Sequence, residues 1–227
     1  MSLNHPEMIL FDLDGTLVDS VPDLAWSIDN MMRSIGRPPC GEAKIRTWIG
    51  NGIRRLVKRA LTGDMNAEPE PGLYVHAFAI FSDIYLNNAC RRTTFYEGAE
   101  DCLLYLKENQ YSLGCITNKA EKYTHIVLST LGIDKHFGII ICGDTLPRKK
   151  PDPLPLLHAA DYFGVCPENS LMVGDSFSDM EAARAAGFKS LAVTYGYNHG
   201  RDIREAKPDM VIDSLSQLPV LMRNCNT

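Results

Sequence analysis

Apolar and polar positions along this 227-residue chain follow two periods in turn. Short apolar runs at 8–11, 111–116, 137–142, 170–174 and 189–193, with a further one at 210–212, have the length and bounding residues of buried strands. Helical spacing fills most of the gaps between them. Residues 99–109, introduced by Glu97-Gly98, carry an apolar face of Leu103, Leu104 and Leu106. Residues 120–131 follow the second run, Pro153 opens 153–163, and the Ala-rich 178–186 stops at Gly187, a suitable C-cap. Strand and helix in alternation predict βαβ units. The fold class is therefore α/β, a Rossmann-like parallel sheet covered on both faces. Such sheets bind ligands outside the carboxyl ends of their strands.

One region breaks the alternation. From 21 to 92 no strand pattern appears, and helices are predicted near 22–35, 42–49, 52–62 and 70–90, with Pro, Gly and Asn between them. The expected organisation is a core of 1–20 and 93–227 interrupted by an all-helical module at 21–92, with joins near Asp19-Ser20 and Arg91–Phe95. Trp48, Met31-Met32 and the aromatic-rich stretch 73–85 read as packing within that module.

Composition narrows the class. Hydrophobic residues make up 45% of the chain and charged ones 22%, enough for a buried core. A net charge of −5 argues against a general nucleic-acid or membrane-surface binder. No apolar run approaches the roughly 18–20 residues of a membrane span, and the N-terminus lacks the pattern of a signal peptide. The seven cysteines are odd in number and form no C-x-x-C pair, so a reducing cytoplasm is expected rather than a disulfide framework.

The chemistry collects where strands are predicted to end. Met8-Ile-Leu-Phe-Asp-Leu-Asp-Gly-Thr-Leu-Val-Asp-Ser20 runs from an apolar strand into two aspartates spaced i, i+2. On extended backbone that spacing sends Asp12 and Asp14 to the same side. Two neighbouring carboxylates repel, and a hard cation such as Mg²⁺ is the usual compensation. Later strand ends deliver Thr117-Asn118-Lys119, then Arg148-Lys149-Lys150-Pro151, then Gly174-Asp175-Ser176-Phe177-Ser178-Asp179. Together they supply oxygen ligands for a metal, plus donors and an ammonium for a phosphoryl group. Each cluster alone has a plain structural reading: a helix cap, a solvated basic loop, surface acids.

As an ordered set, Asp-Leu-Asp-Gly-Thr, Thr-Asn-Lys, Lys-Pro and Gly-Asp-Ser-x-x-Asp resembles the four motifs of the haloacid-dehalogenase (HAD) superfamily, and the helical insertion resembles its small α-helical cap. Across nearly the whole chain the sequence is similar to bacterial phosphoglycolate phosphatases. The resemblance is carried by Asp12–Leu24, Ile49-Gly50-Asn51-Gly52 and Thr194-Tyr-Gly-Tyr-Asn198. It implies Asp12 as nucleophile, giving an aspartyl-phosphate, and Asp14 as the acid that protonates the leaving alkoxide and then activates water. It also implies Mg²⁺ held by Asp12, the Asp14 backbone carbonyl and Asp175, with Asp179 supporting the shell. Thr117, Asn118 and Lys150 would bind the phosphoryl oxygens. Ser178 stands where many relatives carry Asn.

A substrate that is a small phosphorylated metabolite follows, with no nucleic-acid or membrane partner and a monomer or homodimer expected. In the insertion, Asn51, Gly52 and Arg54 are candidates for contact with the leaving group; a helix–helix turn with exposed arginines is the alternative. Asp14 argues against a dehalogenase, and no lysine environment suggests a phosphonate hydrolase. A sugar-phosphate mutase, a pyrophosphatase or a silent binding protein on the same fold remain open at this stage.

Overall fold

A computed structural model describes residues 6–198 and 200–224. Its main sheet has six strands in the order β5-β4-β1-β6-β7-β8. These are β1 (Met8–Phe11), β4 (Ser112–Ile116), β5 (Ile139–Ile141), β6 (Ser170–Gly174), β7 (Lys189–Val193) and β8 (Met210–Ile212), every neighbouring pair parallel. The chain builds outward from β1 to β4 and β5, then returns to β6 on the other side of β1. β1 thus sits at the point where strand order reverses, and a crevice forms there beyond the carboxyl ends.

Side-chain alternation assigns the two faces. Ile9 and Phe11 join Leu171 and Val173 on one face, over α5 (Ala99–Glu108) and α9 (Gln217–Asn224), through Leu103, Leu106, Leu218 and Met222. Met8, Leu10 and Met172 face the other way, onto α7 (Leu154–Phe163) and α8 (Phe177–Ala186), whose Ala182, Ala183 and Ala186 keep the helix close to the sheet. β1 is wholly buried, as a central parallel strand requires.

The stretch after β1 is helical. Between the two-residue strands β2 (Val18–Asp19) and β3 (Thr94–Phe95), which pair antiparallel, lie α1 (Val21–Ser34), α2 (Glu42–Arg46), α3 (Ile53–Thr62) and α4 (Pro71–Leu86). On α1 the buried residues Leu24, Ile28, Met31 and Met32 recur at helical spacing, with Asp23 in the first turn and Arg33 in the last, matched to the helix dipole. They pack with Ile45, Trp48, Leu56 and Phe81 into a separate core, which also takes in Tyr123 from α6 (Glu121–Thr130) and Tyr197.

Several boundaries differ from the sequence expectation. The predicted 70–90 helix stops at Leu86, where Asn87 and Asn88 turn their side-chain amides back onto the carbonyls of Asp83 and Ile84. The 42–49 helix stops at Arg46, and Phe177, expected in a loop, is the first residue of α8 behind a Ser176/Asp179 capping box. The sequence pattern predicts none of β2, β3 and α9. The strands are too short to show a period, and α9 contains Pro219.

Candidate active site

Four strand ends converge. Asp12 and Asp14 follow β1, Thr117, Asn118 and Lys119 follow β4, Lys150 comes from the loop after β5, and Asp175 and Asp179 follow β6; all line one cavity. Leu24, Ile49, Gly50, Gly52, Ile53 and Leu56 of the helical stretch line it too. β1 ends at Phe11, so Asp12 and Asp14 lie just beyond the strand rather than on it. Gly15 then turns the chain at φ 92°, in a place where a Cβ would stand 2.3 Å from Asp175 Oδ2.

The two aspartates do not share a counterion. Asp12 Oδ1 lies 2.9 Å from Lys150 Nζ, and the same ammonium lies 2.7 Å from Asp179 Oδ1. The ammonium also donates to the carbonyl of Ile116, so its three donors are shared among two carboxylates and a backbone oxygen. Asp14 instead accepts from Lys119 Nζ, at 3.0 and 3.1 Å, and from the Ser20 hydroxyl at 2.5 Å.

Burial pushes Asp12 from an ordinary 3.8 up to about 6, with Lys150 opposing and Asp179 adding to the rise. Asp175 is raised well above the aspartate range by burial and by the charges of Asp12 and Asp179. For Lys150, burial alone would lower the pKa, but Asp12 and Asp179 outweigh it and hold the ammonium charged. The site thus strains against a surplus of negative charge. Oxygens of Asp12, Asp175 and Asp179 lie within 4.8 Å of one another, all buried, and a hard divalent cation fits that donor set.

Other contacts fix these groups. Asp175 accepts from the Thr16 hydroxyl at 2.9 Å and the Tyr197 N–H at 2.5 Å. Asp179 Oδ2 takes the N–H and hydroxyl of Ser176 at 3.0 and 2.7 Å, so its other oxygen alone faces Lys150. Asn118 donates to the Lys150 carbonyl at 3.0 Å, and Thr117 is nearly buried at the cavity wall.

The candidates in the helical stretch separate. Gly52 lines the cavity, whereas Asn51 and Arg54 do not. The Asn51 side-chain Oδ1 accepts from Arg59 at 2.7 Å, and the Arg54 guanidinium lies 4.8 Å from the centre of the Phe78 ring. Arg55 is likewise diverted, to Glu68 and the Met65 carbonyl. Ser178 is not among the cavity residues. His199, after the Tyr195–Asn198 segment, and Cys225 lie outside the described residues. Lys119 and Tyr197 were not singled out from sequence, though Lys119 stands inside the Thr-Asn-Lys motif. Among the described residues the cysteines Cys40, Cys90, Cys102, Cys115, Cys142 and Cys166 are free thiols, and no helix is long and apolar enough to cross a membrane.

Comparison with known proteins agrees with this geometry. Residues 9–193 match the haloacid dehalogenase-like hydrolase family. The chain is 54% identical over 220 residues to a phosphoglycolate phosphatase of Nitrosococcus oceani, covering 97% of this chain and 98% of that one. A phosphoglycolate phosphatase of Thiobacillus denitrificans is 44% identical over 94% of each chain. Among solved structures, a predicted phosphoglycolate phosphatase from Haemophilus somnus 129PT superposes with a TM-score of 0.89 at 35% identity, covering 96% of this chain and 98% of that one. This protein belongs to the haloacid dehalogenase-like hydrolase family.

Proposed function

We propose that the protein is a Mg²⁺-dependent phosphatase that hydrolyses 2-phosphoglycolate to glycolate and phosphate through an aspartyl-phosphate on Asp12. The observation that carries this reading is the division of the aspartates. Asp12 stands in the buried cluster with Lys150, Asp175 and Asp179, while Asp14, lining the same cavity, has a separate pair of partners. Asp12 is set beside the Lys150 ammonium for attack, and Asp14, held by Lys119 and Ser20, is kept apart from it for proton transfer.

Asp12 attacks phosphorus, forming an Asp12–O–P bond as the bond from phosphorus to the leaving oxygen breaks. Asp14 gives its proton to that oxygen. Asp14 then takes a proton from water as the water attacks phosphorus, which releases phosphate and restores the Asp12 carboxylate. Splitting the displacement in two is the benefit of a covalent route. Lys150, Thr117 and Asn118 bind the phosphoryl oxygens and offset the repulsion between carboxylate and phosphate. Asp12, Asp175 and the Asp14 carbonyl, with Asp179 in support, would hold Mg²⁺, which when bound would supply Lewis-acid charge to the phosphoryl group.

Residues 21–92 act as a lid on a core of 1–20 and 93–227. Their contribution to the cavity is Leu24, Ile49, Ile53 and Leu56 with two glycines, an apolar wall suited to a small leaving group. The relatives named phosphoglycolate phosphatase support glycolate as that group. The test is phosphate release from a panel of small phosphate esters and pyrophosphate, with and without Mg²⁺. Highest kcat/KM on 2-phosphoglycolate is expected; preference for a sugar phosphate would replace the substrate and keep the chemistry.

A further inference from the structure

The phosphoryl-binding side of the cavity has its lysine in Lys150; a second buried lysine, Lys119, has no part in the scheme above. Its side chain is 2% exposed and makes three polar contacts, two with Asp14 and one with the Tyr85 hydroxyl at 2.6 Å. The ammonium also lies 5.2 Å from the centre of the Tyr85 ring. Tyr85 stands in the last turn of α4, fully buried, between Phe81 at 5.4 Å and Tyr123 of α6 at 4.7 Å. A continuous series of contacts therefore runs from the lid helix through one cation to the carboxylate beside the leaving group.

Burying a lysine is costly unless its charge and donors are met. Here Asp14 and the Tyr85 hydroxyl meet them, through an ion pair and a hydrogen bond. In return Asp14 is held from two directions, by Lys119 and by the Ser20 hydroxyl. A proton donor is effective only when its oxygen is kept within hydrogen-bond reach of the departing atom. We propose that Lys119 is a positioning residue, braced by Tyr85 of the lid, that holds Asp14 in register with the leaving oxygen. This rests on the phosphatase reading above.

The test compares kcat/KM for phenyl phosphate and p-nitrophenyl phosphate in wild type, Lys119→Met and Tyr85→Phe. Both leaving groups lack a second anion, so recognition of a substrate carboxylate does not enter. This ratio reports steps up to formation of the aspartyl-phosphate. Phenolate needs its proton as it departs; p-nitrophenolate leaves with far less help. Lys119→Met is expected to lose about ten-fold more on phenyl phosphate than on p-nitrophenyl phosphate. Tyr85→Phe keeps the ring, removes one oxygen, and is expected to show the same bias at about three-fold; it carries the test if Lys119→Met does not fold. Equal losses on the two esters, or no loss in Tyr85→Phe, overturn the inference alone. A wild-type protein inert towards phosphate esters overturns the phosphatase reading and this inference together.

Discussion

Asp23 Oδ2 accepts both the backbone N–H and the hydroxyl of Thr93, each at 2.8 Å. The same oxygen takes the N–H groups of Arg91 and Arg92 at 2.9 and 2.8 Å, and the Arg92 guanidinium adds a contact to Oδ1. The first turn of α1 is thereby stitched to the segment that leads back into the sheet through β3. Asp23 is fully buried. Asp23→Ala would strand several buried donors, so a loss of about 3–5 kcal/mol in unfolding free energy is expected. Urea denaturation checks it; a loss below about 1 kcal/mol would show that the junction tolerates the gap.

Gly196 crowds Asp175 so closely that a Cβ there would lie 2.2 Å from that of Asp175. Gly196→Ala must shift a carboxylate proposed to hold the metal. The Mg²⁺ concentration for half-maximal activity should rise by about ten-fold or more. Gly132→Ala is the contrasting control: it meets a left-handed backbone, φ 71°, but nothing lies within 4 Å of the added Cβ. It should cost about 1 kcal/mol of stability and leave the Mg²⁺ dependence alone.

The raised pKa of Asp12 gives stability a sign with pH. Burial lifts it from 3.8 to about 6 in the metal-free fold. Between those values the folded chain holds a proton that the unfolded chain has released. The contribution is therefore full below about 4 and is lost as pH climbs through about 6. In EDTA, wild type should lose up to about 3 kcal/mol relative to Asp12→Asn between pH 4 and pH 7. A pH-independent difference in urea midpoints would contradict the electrostatic account of the site.

Lys150 is the cation between Asp12 and Asp179, at 2.9 and 2.7 Å. Lys150→Met should cut kcat by about 10²–10³-fold, because it removes the charge that offsets repulsion during attack. Steady-state kinetics at saturating Mg²⁺ checks this; a change confined to KM would assign the lysine to uniform binding of substrate and transition state, with no part in the attack itself.

The parts that could be read from sequence are those whose signal is local. Asp12, Asp14, Thr117 and Asp175 stand at or just past the end of an apolar run, Lys150 and Asp179 follow in the next loop and helix, and their convergence follows from parallel-sheet topology. What escaped depends on partners distant in the chain. The position of Lys119 within its motif says nothing of Asp14, 105 residues earlier, or of Tyr85. Arg91-Arg92 reads as a solvated pair, yet their N–H groups are fixed by Asp23, and Arg92 covers Trp26 at 4.8 Å. Arg54 looked poised beside a Gly-rich turn until Phe78 is seen to hold it. Long cationic side chains choose among several partners, and spacing alone does not rank them.

The most direct test of the account is to mix enzyme, Mg²⁺ and a radiolabelled phosphate ester, quench with acid in the first turnover, and map the protein-bound label. The account predicts label on the peptide containing Asp12, dependent on Mg²⁺, with neither label nor turnover in Asp12→Asn. Turnover by Asp12→Asn at the wild-type rate would contradict it.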